Sequence, residues 1–160
     1  MIEIEQVGPD EWSIVRKVRL AALQDTPDWF WSTYEEEVEK DESWWRSNIG
    51  AGAWFIAQID GRPVGIAAGI RAAHLGDSTR QLISMWVEPA TRGAGLGERL
   101  VDAVIAWARA DGANELQLEV TNKNHAAAQL YERCGFEATG RTEPLPRNPA
   151  LIEHEMRLRL

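Results

Sequence analysis

The chain has 160 residues and a mass of 18.0 kDa, a length that suits one core better than two domains. Its composition, 44% hydrophobic and 26% charged with a single cysteine, excludes a disordered chain and a disulfide scaffold. Against 25 acidic side chains stand 17 basic ones, and the resulting charge of -8 repels phosphodiester backbones, so no nucleic-acid partner is expected and duplex nucleic acid is a poor candidate.

The opening Met-Ile-Glu-Ile-Glu lacks the order of a secretory signal, and Cys134 alone can close no intrachain disulfide, so a reducing cytoplasm is the expected compartment. No run of about 20 apolar residues occurs, so no membrane span is expected. Ile2 to Val7 alternate as a half-buried strand, and Gly8-Pro9-Asp10 ends it and starts a helix expected from Asp10 to Gln24. Ile14, Val15, Val18 and Ala22 mark its packed face, with Arg16, Lys17 and Arg19 off that stripe and in water. After a loop holding Pro27 and Trp29-Phe30-Trp31, one acid-rich helix is expected to about Asn48.

Ala53 to Ile59 and Val64 to Ile70 read as a hairpin about Asp60-Gly61-Arg62-Pro63, and Gln81 to Val87 as a third strand. Leu96, Leu100, Val101, Val104, Ile105 and Ala108 mark a buried helical stripe ending at Gly112. Leu116, Leu118 and Val120 alternate as a strand, Asn124 caps a short helix, and Thr139 to Glu143 and Leu151 to Leu160 form two strands around a proline-rich loop. The order predicts a single α/β domain, a mixed sheet with helices on its faces, without repeats or linkers.

The chemistry-bearing segment runs from Met85-Trp86-Val87 through Arg92-Gly93-Ala94-Gly95-Leu96-Gly97, a strand leading through a glycine-rich turn into an amphipathic helix. Such a turn gathers backbone N–H groups at the positive end of a helix, with Arg92 as an added cation, and suits phosphate. A dinucleotide fingerprint would need glycine where Glu98 stands, and a P-loop's Gly-Lys-Ser/Thr is missing. Glycines serving only close packing are the plainer alternative.

Arg92, Gly95 and Gly97 resemble the Arg/Gln-x-x-Gly-x-Gly/Ala signature of the GCN5-related N-acetyltransferase (GNAT) superfamily. Asn124-x-x-Ala127-x-x-Leu130-Tyr131-Glu132 and Gly135-Phe136 resemble its second motif at the expected distance downstream. The resemblance implies one N-acetyltransferase domain over residues 1–160. Its fold would be a mostly antiparallel sheet of about seven strands, splayed between strands 4 and 5 and flanked by about four helices. It also implies acetyl-coenzyme A, with Met85, Trp86 and Val87 beside the thioester arm and Arg92, Gly93, Ala94, Gly95, Leu96, Gly97 and Glu98 beneath the pyrophosphate. Asn124 would either touch the cofactor arm or simply cap its helix. Tyr131 would protonate the departing thiolate or pack against the cofactor.

By alignment to the arginine motif, Gln81 stands where some members carry a catalytic glutamate, and it cannot act as a base. Glu119 is the candidate base, although Glu115 and Glu119 also read as the wet edge of a strand; backbone carbonyls and water are the alternative. An amine acceptor is implied, and the family architecture puts Trp29, Phe30 and Trp31, with Tyr34 and Glu35, beside its cleft. That setting would suit a cationic or aromatic amine. Trp44 and Trp45 read as packing residues, Cys134 as an inert thiol, and His154, sharing a face with Ile152 and Met156, as a core histidine. His74, His125 and His154 have no ligand-like spacing, so no metal is expected. Edge strands and the tryptophan-rich surface permit a homodimer. The alternative function is a noncatalytic acyl-coenzyme A binding or sensing module.

Overall fold

In the computed structural model, which describes residues 1–160, seven strands form one sheet. They are β1 (Ile2–Val7), β2 (Gly52–Ile59), β3 (Arg62–Ile70), β4 (Thr79–Val87), β5 (Glu115–Thr121), β6 (Glu137–Leu145) and β7 (Asn148–Arg159), in the order β1-β2-β3-β4-β5-β7-β6. Every pairing is antiparallel except that of β4 with β5. One face carries α1 (Trp12–Asp25), α2 (Tyr34–Val38) and α3 (Glu42–Gly50), and the other α4 (Leu96–Ala110) and α5 (His125–Arg133). No helix is long and apolar enough to cross a membrane.

Each face has its own core. Leu96, Leu100, Val101, Val104 and Ala108 of α4 pack with Leu116 and Leu118 of β5, while Val15, Val18 and Leu23 of α1 pack with Trp45, Ile49, Ile56 and Ile66. The helical spacing of α4 therefore does what its pattern predicts. α4 also lies very close to the sheet at Gly69, where a Cβ would stand 2.4 Å from the Trp107 ring.

The sheet splits along β4. Only Thr79, Arg80 and Gln81 pair with β5, opposite Glu115, Leu116 and Gln117, and the two strands then diverge. The buried Arg80 holds the paired end. Its Nε donates to Asp111 Oδ2 at 2.8 Å, its Nη2 to the Asp111 carbonyl at 2.9 Å and its Nη1 to the Asp77 carbonyl at 2.7 Å. With Arg71 also bound, the Asp111 carboxyl is held down at about 2. On the other side of β4 the ladder with β3 slips, so that Ser84 and Met85 face Ala67 alone, and Ser84 adopts φ 61°.

Several local expectations need correction. The acid-rich segment is two helices, because Asp41 accepts from the Trp44 N–H and starts a second one. Asp60 and Gly61, both at positive φ, alone make the β2–β3 turn, and Pro63 lies within β3. Pro144 and Pro149 lie inside β6 and β7; β6 is an edge strand, so a missing N–H costs it no second ladder. Arg19 is not in water: its side chain is 11% exposed and forks onto the buried Glu37, Nε to Oε1 at 3.0 Å and Nη2 to Oε2 at 2.9 Å. His154 is exposed, and its neighbour Glu153, on the opposite face, is buried.

Arg80→Met should cost about 3 kcal/mol in urea unfolding, because it leaves the Asp77 and Asp111 groups without their buried donor. A loss below about 0.5 kcal/mol, the range of a neutral surface change, would show that Arg80 does not hold the paired end.

Candidate active site

The glycine-rich turn follows β4 and a short helical turn at Pro89–Thr91. Gly93 at φ 88° and Gly95 at φ 81° place the chain where side chains are disfavoured, and Gly95 opens α4. The first helical bond runs from the Arg99 N–H to the Gly95 carbonyl. None of the backbone N–H groups from Gly93 to Glu98 donates to a protein acceptor, and they surround the positive end of a 15-residue helix. Such an arc is an anion cradle.

Arg92 stands over it in a fixed pose. Its Nε donates to the Val87 carbonyl at 2.9 Å and its Nη2 to Asp25 Oδ2 at 3.0 Å, and its guanidinium lies 5.8 Å from the Trp29 ring centroid. The same Asp25 oxygen accepts from Trp86 Nε1 at 3.0 Å. Both Nη1 hydrogens and one on Nη2 are left for an anion.

The cradle forms one end of a cleft of about 370 Å³. Met85, Trp86 and Val87 of β4 form one wall, and Asn124, Ala126, Ala127, Leu130 and Arg133 of α5 and its cap form the other. Arg92, Gly93, Gly95, Leu96, Gly97 and Glu98 close the end at the glycine-rich turn, with Trp29 beside them. Ala94 does not line it. Gly97 permits close approach, since a Cβ there would stand 2.9 Å from Leu130 Cδ2. Asn124 caps α5, its Oδ1 accepting from the Ala127 N–H at 3.2 Å, and it also lines the cleft. Arg133, whose Nε donates to Glu98 Oε1 at 3.1 Å, was not evident from the sequence; its place one turn past Leu130 on the same helix face is the signal that could have found it.

Tyr131 does not line this cleft. It is 5% exposed in the core against Phe136, with ring centroids 5.8 Å apart, and burial pushes its phenol well above the ordinary value. Burial that holds the phenol neutral also opposes loss of its proton.

The acceptor-side residues separate. Trp29 belongs to the cleft, and Phe30 is buried beneath the Arg19 guanidinium at 4.7 Å. Tyr34 is half-buried, and Glu35 is exposed at the start of α2. Trp31 is 55% exposed and its Nε1 donates to Glu153 Oε1 at 2.5 Å. Glu119 lies half-buried in a second hollow with Arg141, Thr142, Glu143, Glu153 and Glu155. Burial and its acidic neighbours raise the Glu119 carboxyl, and burial and Glu119 push Glu153 up to about 7. Glu153 was missed because the alternation read from Ile152 and Met156 marks only one face of β7 as inward, whereas the opposite face, with Leu151 and Glu153, is buried as well. Cys134 is half-buried, and burial, then Asp102 and Glu98, raise its thiol. No group of His, Cys, Asp and Glu side chains has the arrangement of a metal site.

Residues 20–136 match the acetyltransferase (GNAT) family. Among curated relatives, the chain is 32% identical over 128 residues to N-acetylaspartate synthetase of Rattus norvegicus, covering 80% of this chain and 40% of that protein. It is 32% identical over 91 residues to N-acetyltransferase family 8 member 2 of the same organism, covering 56% of this chain and 40% of that one. The chain thus spans less than half the length of these two relatives. Among solved structures, a GNAT-family acetyltransferase of Streptococcus pneumoniae superposes with a TM-score of 0.83 at 18% identity, covering 100% of this chain and 99% of that one. yncA of Salmonella typhimurium, solved with its cofactor acetyl-CoA, superposes at 0.76 with 21% identity, covering 100% and 94%.

The raised Glu153 carboxyl gives a pH signature. With a folded value of about 7 against an ordinary 4.5, its contribution to stability is full below the lower value and is lost as pH rises through the upper one. Glu153→Gln should therefore gain stability relative to the unsubstituted protein as pH rises from about 5 to about 8 in thermal unfolding. A difference that stays constant across that window would contradict the assignment.

Proposed function

The chain belongs to the GNAT acetyltransferase family, and from that premise we propose that it moves an acetyl group from acetyl-coenzyme A to a primary amine by direct attack in a ternary complex. The observation that carries this reading is the run of unpartnered N–H groups from Gly93 to Glu98, continuous with the open edge of β4 in one cleft. Acetyl-coenzyme A fits both ends of that cleft: a diphosphate for the cradle, and a peptide-like arm for strand groups that have lost their neighbour.

Each residue then has a role. Arg92 and the turn bind diphosphate, and the backbone of Met85, Trp86 and Val87 lies along the arm. Asn124 offers its amide N–H groups from the opposite wall. The cosubstrate supplies an activated acyl carbon and a thiolate leaving group. Glu119, directly or through water, takes a proton from the acceptor ammonium, because only a neutral amine can attack. Strand N–H groups stabilise the oxyanion. The amine nitrogen forms the new C–N bond as the C–S bond breaks. Of the two protons the ammonium loses, one passes by way of Glu119 to solvent, and the other is delivered through water to the leaving sulfur.

Thiol release from acetyl-coenzyme A over a panel of amines tests the reading, with amine-dependent release expected. Binding of acetyl-coenzyme A without turnover on any amine would favour the noncatalytic module. Arg92→Ala should raise the KM for acetyl-coenzyme A about tenfold, as for one lost charge-assisted contact, with kcat little changed. Tyr131→Phe should leave kcat within about twofold, since the hydroxyl stands outside the cleft; a loss of about 10²-fold, the lower range of general-acid catalysis, would make Tyr131 the acid.

A further inference from the structure

Arg133 lines the cleft, and the acetyl-transfer reading gives it no task. It stands in the last turn of α5, on the wall opposite β4, and with Arg92 it is one of only two cations among the lining side chains. Its Nε donates to Glu98 Oε1 at 3.1 Å, so it lies one side chain away from the arc of unpartnered N–H groups that ends at Glu98. The pair is open to water, with the Arg133 side chain 58% exposed and that of Glu98 49% exposed. Ion pairs so exposed contribute little to stability. The fold therefore does not account for this arginine.

Its free donors and its position do. Glu98 brings a carboxylate into the first turn of α4, beside the cradle, and Arg133 offsets that charge where a bound diphosphate would otherwise be repelled. Glu98 occupies only the Nε–H, which leaves the hydrogens on both Nη atoms. The terminal edge of a guanidinium matches two oxygens of one phosphoryl group. In a chain of net charge -8, a cation at the rim of an anion site is a local reversal of a repelling field. The cleft, at about 370 Å³, is near the lower end for a ligand pocket. A molecule as long as acetyl-coenzyme A then leaves its adenosine at the rim, where Arg133 stands.

We propose that Arg133 reads the phosphomonoester on the ribose of coenzyme A, so that the cleft selects coenzyme A esters over carriers with the same arm and diphosphate but no such group. This rests on the acetyl-transfer reading and narrows its donor. The diphosphate is served by the N–H arc and Arg92, and coenzyme A carries one anionic group more. Arg133 is the remaining cation of the cleft and still holds a bidentate edge for it.

Calorimetry with coenzyme A and with 3′-dephospho-coenzyme A tests this, because the two ligands differ only in that phosphomonoester. The unsubstituted protein should bind coenzyme A about tenfold more tightly, the effect of one charge-assisted contact. Arg133→Gln should bring the two affinities within about twofold of each other by removing that contact. Any effect of the unpaired Glu98 carboxylate on the cradle falls on both ligands and cancels in the ratio, and retained binding of the dephospho ligand shows that the variant is folded. Arg99→Gln removes the same charge near the start of α4 from a side chain that sits at the Ile2 carbonyl and does not line the cleft, and it should keep the preference. Equal binding of the two ligands by the unsubstituted protein, a preference that survives Arg133→Gln, or one that Arg99→Gln removes as fully, overturns the assignment and leaves the cofactor reading standing. Absence of binding of either ligand to the unsubstituted protein overturns the acetyl-transfer reading itself.

Discussion

Three pairs of a parallel ladder, Thr79 to Gln81 against Glu115 to Gln117, set the point at which the sheet opens. Parallel strands joined by a helix usually pair along their length; here the rest of β4 leaves β5, so backbone groups on both strands lose the neighbours a sheet would give them. Two restraints keep the opening where it is. Arg80, buried and bound to Asp77 and Asp111, fixes the closed end to the end of α4. At the open end Ser84 sits in the slipped β3–β4 ladder, and its Oγ accepts from Arg19 Nη1 at 3.2 Å. The gap is built into the fold.

The same pattern joins the two faces of the sheet. Asp25, the last residue of α1, holds both Arg92 and the Trp86 indole, so the end of a helix on one face orients the cation at the glycine-rich turn on the other. The loop that leaves α1 is fastened to the far hairpin as well. Arg147 Nη2 donates to the Pro27 carbonyl at 2.7 Å and the Phe30 carbonyl at 2.6 Å, and Trp31 donates to Glu153. The loop's backbone and one indole are therefore already placed beside the gap, which leaves less of it to be ordered.

Elements with strong periodicity and capping were legible in the sequence: α4 from its apolar stripe, the glycine turn from its spacing, and α5 from Asn124 and Gly135. So was the split, although only through the resemblance carried by Arg92, Gly95, Gly97 and the Asn124–Phe136 segment. Residues whose roles depend on distant partners were not legible. Arg19 reads as a wet helical side chain until Glu37, 18 positions later, folds against it. Glu153 reads as one of many acids until the β5–β7 register sets it opposite Thr121 and Trp31 comes from 122 positions away to bind it. Sequence periodicity reports which face of an element is apolar, and a buried charge defeats that signal because its burial is set by tertiary partners.

The most direct measurement is a titration of the ¹⁵N-labelled protein with coenzyme A, following each backbone amide. The account predicts the largest shifts at Gly93 to Glu98, whose N–H groups have no acceptor in the protein, and along Met85 to Val87. Shifts confined to another surface, or none with coenzyme A at about millimolar concentration, where even weak association is visible, would contradict it.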